Sequence, residues 1–199
     1  MRAIYKRELR SYFHSMIGYV FIAFLVAYTG IYFLAYNLNY GYPYFSYVLS
    51  GILFVYLVAI PILTMRCFAE DKKNKTDQML LTAPVSLFEI VLGKYLAMVA
   101  VFTIDIAIIA ITPLILSIFG TVPMGESYIS IFAFWLYGCA SIAVGMFISA
   151  LTESQVIAAV LSFVVLFVSY MMKGITGIMS SDGNVLTKIM NCFDIYSPF

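Results

Sequence analysis

Few side chains in this sequence could do chemistry, and their spacing narrows the kinds available. The clearest candidate is Asp105, a carboxylate in the middle of a long apolar run with Thr103 close by. An ionisable group at that depth is costly and by default points to function. It marks either a polar pathway or buried pair, or a protonated, hydrogen-bonded acid turned towards other helices; the residues leave both open. An intramembrane enzyme would need Asp105 paired with a second acid, and no other acid lies deep in an apolar run. Cys67, Cys139 and Cys192 are odd in number and widely spaced, as free thiols are, without the pairs of a disulfide or zinc framework. His14 is the single histidine, beside Phe13, and reads as a polar surface residue. The sequence holds no Ser/His/Asp set, no metal-ligand cluster and no phosphate loop; Gly93-Lys94 lacks the upstream glycine and the following hydroxyl. The expectation is a chain with no catalytic residue, no metal and no cofactor of its own, and so not an enzyme. Any uphill work would draw its energy from another chain.

The remaining polar chemistry is concentrated in residues 66–94, which carry five of the eleven Lys and Arg and four of the ten Asp and Glu. The surroundings are too apolar for water. The chain of 199 residues is 63% hydrophobic and 11% charged, with a mean hydropathy of +1.00. A soluble domain is about half apolar and about a quarter charged. The excess predicts an all-α, polytopic membrane bundle forming a single transmembrane domain over 1–199. The net charge of +1 supplies no field for nucleic acid.

A bilayer core needs roughly 20 apolar residues of helix. Five runs qualify, at 16–36, 48–65, 95–119, 128–151 and 156–172. Period-2 alternation is absent, so barrel strands are not expected. The first run is long and lacks an Ala-x-Ala cleavage pattern, so it reads as a retained span, not a signal peptide. Basic residues set the orientation. Arg2, Lys6, Arg7 and Arg10 precede the first span, and Arg66, Lys72, Lys73, Lys75 and Lys94 lie between the second and third. The 37–47 connection has no charge and 120–127 has only Glu126. The N terminus and the 66–94 loop are therefore expected in the cytoplasm. Tyr40, Tyr42, Tyr44 and Tyr47 fit an interfacial belt outside. An odd number of spans also suggests a sixth span beyond Phe199.

Local signals add detail. Residues 2–13 form an amphipathic helix suited to the headgroup plane. Ile4, Tyr5, Leu9, Tyr12 and Phe13 share one half of its wheel, opposite Lys6, Arg7 and Arg10, and Glu8 intrudes on the apolar side. Ser86-Leu-Phe-Glu89 has the spacing of a capping box, with Ser86 as N-cap, Glu89 at N3, and Val85 and Ile90 as staple. Pro84 separates this helix from a shorter one expected at 76–83. Thr152-Glu-Ser-Gln155 repeats the box, with Thr152 as N-cap, Gln155 at N3, and Leu151 and Val156 as staple. Glu153 is either a favourable first-turn charge or a contact to a cytoplasmic partner. Gly138, Ser141, Gly145 and Ser149 fall within about 80° on a helical wheel, a small-residue face for helix packing within the chain or between copies. Pro61 and Pro113 are expected to kink spans two and three.

Several of these stretches resemble type-2 ABC transporter permeases of the gliding-motility and nitrous-oxide-accessory branch. Lys6-Arg-Glu-Leu-Arg-Ser-Tyr-Phe13 and Ile17-Gly-Tyr-Val-Phe21 look like that branch's beginning. Phe68-Ala-Glu-Asp-Lys-Lys-Asn-Lys-Thr76, Leu80-Leu-Thr-Ala-Pro-Val-Ser86 and Glu89-Ile-Val-Leu-Gly-Lys94 resemble its first cytoplasmic loop. Thr152-Glu-Ser-Gln-Val-Ile-Ala-Ala159 resembles its second. Lys75 and Gln78 stand where the family often has Gly and Glu. The resemblance implies a six-span permease half in the bacterial plasma membrane, paired with a second permease copy or a related one. An ABC ATPase subunit would dock beneath and hold the ATP and Mg. It implies an elbow helix at 2–13, a coupling helix at 70–81 and a lesser contact at 152–155. Glu70, Asp71, Thr76, Asp77 and Gln78 would face the ATPase, with Glu153 in the second contact. The expected function is the membrane subunit of an ATP-driven exporter of an unidentified substrate. The alternative is a non-transporting membrane scaffold or assembly factor with a cytoplasmic docking loop.

Overall fold

The structure is a computed structural model that describes residues 2–14, 16–41, 44–73, 86–119 and 122–179. These residues are built from helices, with no strand among them. The first helix, α1 (Arg2–His14), is followed by α2 (Ile17–Phe33), which widens without a break into a π-helical stretch, Leu34–Asn39. Next come α3 (Ser46–Thr64), α4 (Ala69–Lys73) and α5 (Leu87–Ile109). The chain ends, as described, with α6 (Thr112–Phe119), α7 (Met124–Leu151) and α8 (Gln155–Met179). Five stretches are long and apolar enough to cross a membrane: Gly18–Asn39, Ser46–Thr64, Phe88–Ile118, Met124–Leu151 and Gln155–Met172.

These bounds lie within a few residues of the expected apolar runs except at the start of the third, where the helix begins at Leu87 as the Ser86 cap predicts. Lys94, grouped by charge with the 66–94 loop, lies inside that helix, 3% exposed. The reason is that its ammonium is neutralised by neighbouring elements, so it needs no water. The same span is broken near its other end. The Ile109 carbonyl accepts the Thr112 hydroxyl at 2.6 Å, Ile111 N–H bonds to Ile108 O at 3.1 Å, and Pro113 falls in the first turn of α6. A proline is tolerated there because its missing N–H would have been unpaired anyway. By contrast α3 runs through Pro61 unbroken.

The central helix is α3. Its apolar window is 61% buried, against 17% for α8. It packs against α2, α7 and α8, while α5 packs against α1, α2 and α7. Ile52, Leu53, Tyr56 and Ile60 of α3 form the middle of the core. The outer face of α8, with Val156, Val160, Val164 and Val168, is exposed apolar surface suited to lipid.

Lipid tails are as apolar as leucine, so helix association there depends on close packing and hydrogen bonds. The small-residue face of α7 supplies that close packing within the chain. A Cβ on Gly138 would collide with the Phe102 ring of α5, and one on Gly145 with the Thr64 side chain of α3. Ser141 and Ser149 are buried beside them. The face is already covered by this chain's own helices, so it is not available for a second copy. Gly138→Val forces the Phe102 ring to move. Overpacking of that kind costs about 1–3 kcal/mol, so the unfolding midpoint in detergent should fall; an unchanged midpoint would show that Phe102 turns aside freely.

Candidate functional site

The two polar turns singled out in the sequence meet at one end of the bundle. Residues 65–68 form a tight turn between α3 and α4, of which Ala69–Lys73 is described. The start of α4 is held from α7. The Ser149 hydroxyl accepts the N–H groups of Phe68 and Ala69, each at 3.2 Å, and donates to the Met65 carbonyl at 3.3 Å. Lys72 Nζ donates to the Ala150 carbonyl at 2.5 Å. Ser149 thus does for α4 what an N-cap side chain does locally, but from another helix.

The turn between α7 and α8 differs from the expected capping box. Thr152, extended at φ −114° and ψ 150°, closes α7, and its hydroxyl donates to the Ile148 carbonyl at 3.3 Å. The first helical residue of α8 is Gln155, and Ala158 N–H bonds to Ser154 O at 3.0 Å. Ser154 therefore takes the N-cap position, and Gln155 sits at N1, too early to reach back as an N3 residue would. The physical reason is that Thr152 is committed to the helix behind it. Glu153 is exposed at the tip. At α5 the geometry is that of a cap: Ser86 is extended and its hydroxyl accepts the Glu89 N–H at 3.3 Å. Of the other expected coupling residues, Glu70 lies on α4 with its side chain not described, and Thr76, Asp77 and Gln78 lie outside the described residues.

Beneath α4 is a buried charge network that the sequence did not single out. Lys94 Nζ of α5 donates to Asp71 Oδ2 of α4 at 2.5 Å and to the Cys67 carbonyl at 2.7 Å. It lies 3.5 Å from Glu8 Oε1 of α1 and 5.2 Å from the centre of the Phe68 ring. Arg7 Nη2 pairs with the same Glu8 oxygen at 2.8 Å. Arg7, Glu8, Lys94 and Asp71 thus alternate in sign and sum to zero. Withdrawing an ammonium from water costs several kcal/mol unless it is paired and hydrogen-bonded; this one makes two hydrogen bonds and has two carboxylates within 3.5 Å. Asp71, expected to face an ATPase, gives one carboxylate oxygen, Oδ2, to this inner contact. The sequence signal was Glu8, an acid on the apolar half of α1; besides its neighbour Arg7 it meets a buried cation that the packing of α1 on α5 supplies. Close approach is possible because Gly93 has no side chain: a Cβ there would sit 3.0 Å from Ile4. Burial pushes the Cys67 thiol beside this network up to about 12, against the opposing pull of Lys94.

Asp105 is fully buried near the middle of the bundle. The Tyr56 hydroxyl of α3 donates to its Oδ2, and Oδ1 has no hydrogen-bond partner among the described residues. Tyr56 is held edge-on by Phe102 at 5.9 Å and Phe134 at 4.7 Å between ring centres. Trp135 Nε1 donates to Thr103 at 2.9 Å. The acid therefore faces other helices and ties α5 to α3. Nothing in the sequence marked Tyr56 out among sixteen tyrosines.

Together these features define a polytopic membrane subunit whose structured polar turns are gathered at one end. A family model described as "ABC-2 family transporter protein" matches residues 36–199. The match covers most of the chain, and the chain belongs to that family: it is a type-2 ABC transporter permease, the multi-pass membrane subunit of an ABC transporter. No curated protein and no solved structure matches it.

Two outcomes follow from this geometry. Ser149→Ala leaves the Phe68 and Ala69 N–H groups without their acceptor, so amide exchange at 68–73 should accelerate while the core of α3 stays protected; equal exchange in both proteins would deny Ser149 its capping role. Tyr56→Phe strands a buried carboxyl at a cost of about 1–3 kcal/mol, whereas removing both polar partners is nearly neutral. Tyr56→Phe should therefore lower the detergent unfolding midpoint more than Tyr56→Phe/Asp105→Leu does. The reverse order would show that the carboxyl finds another partner.

Proposed function

We propose that this chain is the permease of an exporter driven by a separate ABC ATPase, with the end of the bundle bearing α4 and Glu153 facing that ATPase. The observation that carries the reading is the direct bonding of the two turns. Ser149 and Ala150, just before the second turn, hold Phe68, Ala69 and Lys72 of the first. One docked protein could press on both. Basic residues in α1 and in 66–75 favour the cytoplasmic side for this end, where ATP is available. Glu70, Thr76, Asp77, Gln78 and Glu153 are the proposed contacts, while Asp71 is assigned inward to Lys94. ATP and Mg belong to the ATPase. A second permease copy or a related one completes the pathway in the plasma membrane.

The work this chain would do is mechanical. ATP-driven closure of the ATPase pair would displace α4, and rigid helices would carry that displacement to the pathway. The reading is tested with tagged protein purified in mild detergent. The native chain should retain an ABC ATPase whose hydrolysis depends on it. Glu70→Ala/Thr76→Ala should insert normally yet lower that retention and ATP-driven transport about tenfold, equivalent to ~1.4 kcal/mol of contact. Full ATPase retention and activity in the double variant would reject this assignment.

A further inference from the structure

We propose that Lys94 is a positioning residue that clamps α1, α4 and α5 into one body, so that displacement of α4 is delivered to the third span. The inference rests on the reading above for the source of the displacement, but the clamp itself stands on geometry within this chain. The turn at 65–68 is the weak point of any lever built on α4. It links α4 to α3 by irregular backbone with no helical hydrogen-bond ladder running through it. A push on α4 would be absorbed there unless a second connection carried it elsewhere.

Two sets of polar contacts hold α4, and they differ in what breaking them leaves behind. The Ser149 bonds to Phe68 and Ala69 are buried but neutral, so breaking them strands no charge, and the Lys72 ammonium on the Ala150 carbonyl is only half-buried and keeps access to water. Lys94 is 3% exposed, with Asp71 at 2.5 Å and the Cys67 carbonyl at 2.7 Å. Its ammonium has no water to turn to, so separating it from Asp71 strands a buried charge. Under load the α4–α7 contact yields first and the α4–α5 contact holds. The remaining direction of the same ammonium reaches Glu8, 3.5 Å away, which brings α1 into the moving body. The packing of Ile4 against Gly93 reinforces that link. An apolar residue at position 94 would fill the space but would fix neither the carbonyl of the turn nor the carboxylates of two other helices.

The test has two independent readouts and needs no cargo. Cys67 reports on the clamp in a Cys139→Ser/Cys192→Ser background. In Lys94→Met its alkylation by a maleimide at pH 8 should rise about tenfold, and Lys94→Arg should restore most of the protection. The direction discriminates: removing the cation from a site that stays closed raises the thiol further and slows the reaction, so only opening speeds it. Unchanged or slower alkylation in Lys94→Met overturns the clamp. If Lys94→Met fails to accumulate in membranes, Lys94→Gln, which keeps a donor for the Cys67 carbonyl, carries the same test. The second readout uses the chain purified with the ATPase it retains, in nanodiscs, with a thiol-reactive fluorophore on Ile108→Cys at the far end of α5 and the native cysteines replaced by serine. ATP with vanadate should change the label's signal in the parent protein and not in Lys94→Met, while ATP hydrolysis stays within about twofold. A merely structural role would lower hydrolysis and signal together. An undiminished signal in Lys94→Met overturns the transmission. A native chain that retains no ATPase overturns the preceding reading and the transmission with it, and the Cys67 rates still decide the clamp.

Discussion

An ammonium group sealed from water fixes how three separate pieces of this chain sit together. Lys94 donates to a carboxylate and a backbone carbonyl and pairs with a second carboxylate 3.5 Å away. Each partner comes from a different part of the chain: α4, the turn before it, and α1. None can shift far without leaving charge unpaired where the dielectric is low. The docking of α1 along α5, the course of the chain from α3 into α4 and the start of the third span are therefore one structural problem with one solution.

Deeper in the bundle the same logic appears without net charge. Burial against lipid does not favour one helix pair over another, so specificity falls to groups that would be costly if left alone and to surfaces that permit contact. Tyr56 and Asp105 supply the first, pinning α3 to α5 within an aromatic surround. The glycines of α7 supply the second, admitting Phe102 and Thr64 where any larger residue would hold the helices apart. These contacts meet at α3, which explains why that helix is the most enclosed of the five spans. The outer face of α8 carries no such device and is left to lipid.

The arrangement also suits a permease mechanically. A helix joined to its span by an irregular turn is a poor lever by itself and a good contact surface once it is braced. Here it is braced on one side by the neutral Ser149 bonds and the half-buried Lys72 ammonium at the end of α7, and on the other by a buried ion pair from α5. Supports of unequal strength allow an element to move in a preferred direction. Under the proposed function that inequality, more than any property of α4, sets where a displacement goes.

Composition, run length and the placement of basic residues determined by themselves that this is a helical membrane protein with five visible spans, because hydrocarbon leaves a single chain few other ways to satisfy its backbone. They also located the cap at Ser86, since a cap is a contact between residues three apart. The resemblance in the loops pointed to the permease family that the match over 36–199 then established. What depended on distance along the chain was not legible. Ser149 was visible as a small residue but not as the acceptor for α4, and the box at Thr152 was misplaced because its hydroxyl is used by α7. Lys94 was grouped with the charged segment because the apolar run begins only after it, although the Ser86 cap already started the helix before it. Only the fold could show that Glu8, 86 residues earlier, and Asp71, 23 residues earlier, converge on it. A sequence records that a charge exists; whether it faces water or a counter-charge is decided by which helices pack together.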